Sequence, residues 1–404
     1  MEREGAIRRN ARLLALAQGF VSTSFPVLLI VGGPAAADLT HHDGASGLIW
    51  GVYFVAAAGG ASAIGRWMDR IGRRGGLLLS VALLGVAGVW CGASIAAGSF
   101  VGLLAGTVPF GVALGGANLS RGAMADMYPP ERRGRAVGIL LAAGTVGAVC
   151  SPFLVTLLHG LAERRGFDTQ VLPWVIVPIG AFGAAACVAA LRPDPRDLAH
   201  DIPGVAASTI ARPRRALLAI PAFKAAILAG AVGQMAMIGV MGVTPTALHD
   251  HGQNSSVISW VISFHILGMF AFAPLVGAGL DRFGRRAGLI AGSAVCGAGA
   301  LAAATEMSAT VVGVGLFAIG LGWSATYLAA TAVISDLTHP WERAGALGFT
   351  DLLVSIGSAS AGLVGGVLLE TSGYRAVGLV AAVLVGGVLV VVARLRSPVV
   401  ASST

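Results

Sequence analysis

The sequence predicts an all-α membrane protein with twelve transmembrane helices arranged as two pseudo-symmetric six-helix bundles. Three observations carry this. Of the 404 residues, 56% are hydrophobic and only 11% charged, with a mean hydropathy of +0.82, whereas a soluble domain is about 25% charged. Twelve apolar stretches each approach the ~20 residues that a helix needs to cross a bilayer core roughly 30 Å thick. Finally, the pattern G-x-x-x-D-R-x-G-R-R occurs twice, at Gly65 to Arg74 and again at Gly277 to Arg286, each time between two apolar stretches.

In order, the first six spans fall at 13–36, 46–66, 75–96, 99–127, 136–158 and 171–191. The second six fall at 217–247, 256–279, 287–304, 309–336, 345–369 and 376–394. The runs are long, rich in Ala, Gly, Leu and Val, and do not alternate, which excludes strands. Ala35-Ala36-Ala37 imitates a signal-peptide cleavage site, but the preceding run is longer than an h-region of 7–15 residues, and eleven further spans follow. A leader is therefore not expected. Cys91, Cys150, Cys187 and Cys296 all lie inside spans without C-x-x-C spacing, and read as small apolar residues.

Charge placement orients the chain. Of 27 Lys and Arg, 22 lie on one side: the N-terminal tail, the repeated turns, the turns after spans 4 and 10, the centre and the C-terminal end. Arg164, Arg165 and Arg375 lie on the other side, while Arg121 and Lys224 lie within spans. By the positive-inside rule both termini are expected in the cytoplasm, with the chain in the cytoplasmic (inner) membrane. The net charge of +8 then reports topology, so no nucleic-acid partner is expected.

The duplication extends past the charged turn. Ala125-Asp126-Met127-Tyr128-Pro129-Pro130-Glu131-Arg132-Arg133 aligns without a gap to Ser335-Asp336-Leu337-Thr338-His339-Pro340-Trp341-Glu342-Arg343, in a register that continues to Gly138 with Gly348 and Gly147 with Gly357. Bundles at 1–191 and 217–404 are thus expected, joined by a polar, proline-bearing linker at 192–216.

On these residues the chain resembles the major facilitator superfamily, and the resemblance covers its whole length. It implies bundles related by a pseudo-twofold axis along the membrane normal, a midplane substrate site and alternating access. Spans 1, 4, 7 and 10 would line the cavity, and 2, 5, 8 and 11 would form the bundle interface. The resemblance implies that Asp69 points at the N-terminus of span 11, where unpaired N–H groups favour an anion. It implies a charge cluster of Asp69, Arg73 and Asp126, with Gly65, Arg70, Gly72 and Arg74 completing the motif, and a counterpart cluster of Asp281, Arg282, Arg285 and Asp336. The small-residue series Ala143, Gly147, Ser151 and Gly357, Ala361, Gly365 suit close helix contact at that moving interface.

The twelve-span drug/proton antiporter branch is similar in look. The stretch from Ala143 to Pro152 displaces the Pro of that branch's span-5 motif and lacks its double Gly, and Thr107 stands where many members carry an Arg. The resemblance implies proton-coupled efflux of a largely apolar compound by a chain that acts as a monomer. An uptake symporter for a small polar metabolite and a transport-dead sensor or interaction protein are the alternatives.

Ionisable groups within a bilayer are costly and point to function. Asp351, Arg121 and His265 are the coupling candidates, each also open to a structural reading. His265 would serve equally as a hydrogen-bonded interior histidine, and Arg121 as a snorkelling residue. Gln18, Ser22, Asn118, Gln234, Met237, Met241, Trp323 and Tyr327 are the neutral candidates for the substrate cavity. His41-His42-Asp43 and His249-Asp250-His251 have metal-ligand chemistry, but short polar loops often carry such clusters. No metal, no cofactor and no enzyme activity are expected, since no nucleophile–base pair, metal motif or phosphate loop is present. The expected partners are a small-molecule substrate, protons and the lipid bilayer.

Overall fold

A computed structural model of the chain describes residues 2–198, 212–338 and 340–394. Among them are only helices and turns, with no strand. The helices are α1 (Arg3–Thr40), then Gly44–Ala96, which is bent at Gly72 into α2, residues 44–71, and α3, residues 73–96, then α4 (Phe100–Asp126), α5 (Ala136–Arg165) and α6 (Leu172–Ala189). Then come α7 (Pro221–Asp250), α8 (Ser255–Phe283), α9 (Arg285–Ala303) and α10 (Ala309–Leu337). The last stretch, Pro340–Arg394, is bent at Gly373 (φ 76°, ψ 172°) into α11, residues 340–372, and α12, residues 374–394. Its apolar part of 49 residues is long enough for two crossings, so eleven span-length segments make twelve passages.

The chain divides into two compact units, Met1–Ile202 with Pro245–Trp260, and Pro203–Thr244 with Val261–Thr404. Within each, equivalent helices are started and packed alike. Ser99 accepts a bond from the Gly102 N–H at 3.1 Å to cap α4, and Ser308 accepts from the Val311 N–H at 3.3 Å to cap α10. In the first unit α2 and α4 touch at backbone level, because a Cβ on Gly115 would lie 2.1 Å from the Ala57 carbonyl. In the second, a Cβ on Gly268 of α8 would lie 2.4 Å from the Phe317 carbonyl of α10. Such contacts matter in lipid, where apolar tails compete equally for an apolar helix face and packing has to supply the attraction.

The small-residue stripes bring helices of the same unit together. A Cβ on Gly147 of α5 would lie 1.9 Å from the Gly19 carbonyl of α1, and Ser151 Oγ donates to the Thr23 carbonyl at 2.6 Å. On α11, a Cβ on Gly365 would lie 2.9 Å from the Gly239 carbonyl of α7, and one on Gly357 would lie 2.9 Å from Met235. The stripes therefore join α1 to α5 and α7 to α11 inside one unit each. Spacing marks a face able to approach a neighbour and leaves the neighbour open.

Candidate functional site

The first motif turn is built on Gly72, whose φ of 87° and ψ of 166° break the helical run between α2 and α3. A side chain is strained at this φ, and it would also lack room: a Cβ would lie 2.5 Å from Asp194 Oδ2. Asp194 accepts from the Arg73 N–H at 3.1 Å through Oδ1 and from the Arg74 N–H at 2.9 Å through Oδ2. It thus satisfies two donors that the start of α3 leaves unpaired, with the anion at the positive end of the helix dipole. Asp194 is itself held, because its Oδ1 accepts from the Arg196 N–H at 2.9 Å. Asn10 Nδ2 donates to the Pro193 carbonyl at 2.9 Å, and Arg9 donates to the Arg192 carbonyl. The first residues of the expected linker are therefore docked, with Leu191 and Leu198 buried.

From this turn Arg73 Nε reaches Asp126 Oδ2, at the end of α4, at 3.0 Å. With both side chains about 30% exposed, this is a positioning contact of about 0–1 kcal/mol rather than a large stabiliser. The side chain of Asp69 lies outside the described residues; Gly65 lies on α2 facing Leu119 of α4, and Arg70 and Arg74 flank the Gly72 turn. The second motif repeats the geometry: Gly284 has φ 87° and ψ 161°, and Arg285 bonds Asp281 at 2.9 Å and Asp336 at 3.4 Å. Arg282 sits over the Phe283 ring at 5.4 Å. The copies differ at the cap, since nothing stands within 4 Å of a Cβ on Gly284 among the described residues.

The interior candidates fall into two groups. In the first unit, Gln18 Nε2 donates to Ser22 Oγ at 3.2 Å, while Gln18 Oε1 accepts from Ser120 Oγ at 2.9 Å, linking α1 to α4. Asn118 is exposed at a break within α4, where Arg121 Nε donates to its carbonyl at 3.2 Å. In the second unit, Trp323 Nε1 donates to Gln234 Oε1, linking α10 to α7. Trp323 and Tyr327 stack with centroids 5.3 Å apart, and Phe270 of α8 meets Trp323 edge-on at 6.2 Å. Met237 and Met241 are buried in packing.

His265 is fully buried, and its Nδ1 lies 2.7 Å from the Leu316 carbonyl of α10. A carbonyl only accepts, so Nδ1 carries the proton and the ring pins α8 to α10. Asp351 is exposed on α11, as is Leu141, its counterpart in the repeat. The four cysteines are free, and the described residues hold no group of three or more metal-ligating side chains. Asp194, Ser120 and Phe270 escaped the sequence reading. Asp194 sits in a proline-rich stretch that reads as linker, and Ser120 and Phe270 become polar and aromatic partners only through tertiary contact.

The model of the Major Facilitator Superfamily matches residues 13–250 and 226–403. The chain belongs to this superfamily. It is an integral membrane protein of the transporter type, and its relatives are transporters rather than enzymes. It is 30% identical over 382 residues to the uncharacterized MFS-type transporter YddS of Bacillus subtilis, covering 91% of this chain and 86% of that one. It is 27% identical over 374 residues to the riboflavin transporter RfnT of Brucella anthropi, covering 92% of each. Among solved structures, a bacterial homologue of the human lysosomal transporter Spinster, inward-facing and unoccupied, matches at a TM-score of 0.71 and 20% identity over 96% of each chain. The human organic anion transporter TETRAN matches at 0.66 and 16% over 96% of this transporter and 99% of its own chain. At these identities the structures establish the fold alone.

Proposed function

We propose that this transporter exports an uncharged, largely apolar small molecule across the cytoplasmic membrane in exchange for protons, as a monomer with both termini and both motif turns in the cytoplasm. The single observation that carries the substrate class is the chemistry of the interior candidates. Gln18, Ser22 and Ser120 in one unit and Gln234, Trp323 and Tyr327 in the other are neutral hydrogen-bonding or aromatic groups. A helix face of that kind, in either unit, binds by shape and a few neutral hydrogen bonds, and leaves a charged ligand unpaired.

Asp351 is the coupling acid in this reading. An exposed carboxylate on a spanning helix is tolerable where water reaches it, and such a carboxylate exchanges protons with that water. The turn clusters, Asp69 with Arg73 and Asp126, and Asp281 with Arg285 and Asp336, are the gate. Their hinges at Gly72 and Gly284 share one backbone geometry, as a duplicated switch requires. Uptake of a polar metabolite is the second reading. It is favoured by the full-length likeness to a riboflavin transporter and by the amide and indole that meet between α7 and α10.

The test is flux in proteoliposomes with an imposed pH gradient, reading the lumenal pH with a trapped dye while candidate compounds are added. Export by exchange predicts compound movement opposite to proton movement, lost in Asp351→Asn. Co-movement of compound and protons supports uptake, and flux indifferent to the gradient removes proton coupling.

A further inference from the structure

The aromatic group between α7, α8 and α10 differs from the other ring cluster in this protein. In the first unit Trp50, Tyr53 and Phe110 pack together with exposures of 0%, 6% and 0%, as core residues do. Phe270, Trp323, Tyr327 and the adjoining Gln234 are only half-buried, although they lie within spanning helices. Trp323 and Tyr327 are four residues apart on one helix, so their side chains lie one above the other. Their rings stack, with centroids 5.3 Å apart and planes inclined by 18°, into a flat-faced pair that serves as a shelf, and Phe270 meets Trp323 at 80° as a wall.

Hydrogen-bond arithmetic then orients the polar group. An indole N–H only donates, so the atom of Gln234 that meets it is the carbonyl oxygen. The amide cannot turn over without losing that bond. Its NH2 is thereby fixed as the end opposite the indole, a donor that the bond to Trp323 does not use.

We infer that Gln234, Phe270, Trp323 and Tyr327 form a ring-stacking subsite that selects an uncharged planar aromatic molecule with a hydrogen-bond acceptor on its edge. This rests on the reading above that α7 and α10 face the substrate, and it deepens that reading by naming the substrate class. The flat face supplies dispersion and quadrupole attraction, strongest for an offset-stacked ring. The fixed amide donor distinguishes a ring bearing carbonyl or aza acceptors from a bare hydrocarbon. It also disfavours an organic cation, which aromatic faces alone would attract.

Lumichrome, a neutral tricyclic ring with edge carbonyls, serves as the probe, and tetraphenylphosphonium as the cation. Full-length protein in lipid nanodiscs is titrated with each, following lumichrome fluorescence against empty nanodiscs. The expected result is saturable quenching by wild type, weakened about tenfold in Trp323→Leu, as loss of one stacking face predicts. Tyr327→Leu, which leaves the Trp323–Gln234 bond in place, weakens it in the same direction. Gln234→Leu lowers affinity several-fold while quenching at saturation persists. Unchanged affinity in both Trp323→Leu and Tyr327→Leu overturns the inference, as does binding of tetraphenylphosphonium without lumichrome, or no saturable quenching at all. Shelf-dependent binding without gradient-driven flux in proteoliposomes upholds the subsite and overturns the export reading alone.

Discussion

Gly72→Ala tests whether Asp194 and the first motif turn form one structural unit. Two costs separate cleanly. The φ of 87° and ψ of 166° at Gly72 lie in a region essentially reserved for glycine and cost an ordinary residue about 1–3 kcal/mol. The new Cβ, 2.5 Å from Asp194 Oδ2, also expels the carboxylate from the start of α3, forfeiting a cap worth about 0.5–2 kcal/mol. Gly284→Ala meets the same φ with nothing among the described residues within 4 Å of the new Cβ, and is expected to incur only the first cost. Asp194→Ala incurs only the second. The double variant Gly72→Ala with Asp194→Ala should therefore be less destabilised than the sum of its parts by about the value of the cap, near 1 kcal/mol. Equilibrium unfolding of purified protein in mixed micelles measures all four. Equal losses for Gly72→Ala and Gly284→Ala, with a neutral Asp194→Ala, would refute the capping role.

Three further outcomes are expected. A cysteine replacing the exposed Ser256 should react with an impermeant thiol reagent from outside sealed cells, and one replacing Ala207 should not; the reverse pattern inverts the topology. Asp351→Asn should abolish gradient-driven flux while retaining probe binding, measured side by side in proteoliposomes and nanodiscs. Normal flux across pH moves coupling elsewhere. His265→Leu should cost about 0.5–1.5 kcal/mol, because it removes the bond that ties α8 to the Leu316 carbonyl of α10, whereas His265→Asn, which keeps a donor, should recover part of that; recovery is read from unfolding midpoints.

Much of this architecture is legible in the residues because bilayers impose length and charge rules that leave few alternatives. The superfamily resemblance implied clusters that include Arg73 with Asp126 and Arg285 with Asp336, and these pairs stand 3.0 and 3.4 Å apart. Helix ends were not legible. The first helix begins at Arg3 and the fifth runs to Arg165, well past the apolar runs at 13–36 and 136–158, because a helix continues through polar residues once it leaves the hydrocarbon. Partner choice was also hidden. Gly147 announces a close approach but cannot say that the neighbour is Gly19. Asp194 looked like any loop acid, since a cap is defined by N–H groups that sequence does not display.

The contacts of Gly147 with Gly19 and of Gly365 with Gly239 have a mechanical consequence. Helices whose backbones touch cannot slide or tilt separately without opening a gap that lipid tails or water must fill. The pairs α1–α5 and α7–α11 thus behave as stiff double beams. Gln18 and Gln234 ride on the beams that carry Ser151 of α5 and Asp351 of α11. A strain gauge for the transport cycle is therefore best mounted on either member of a pair, since each must report the displacement of both.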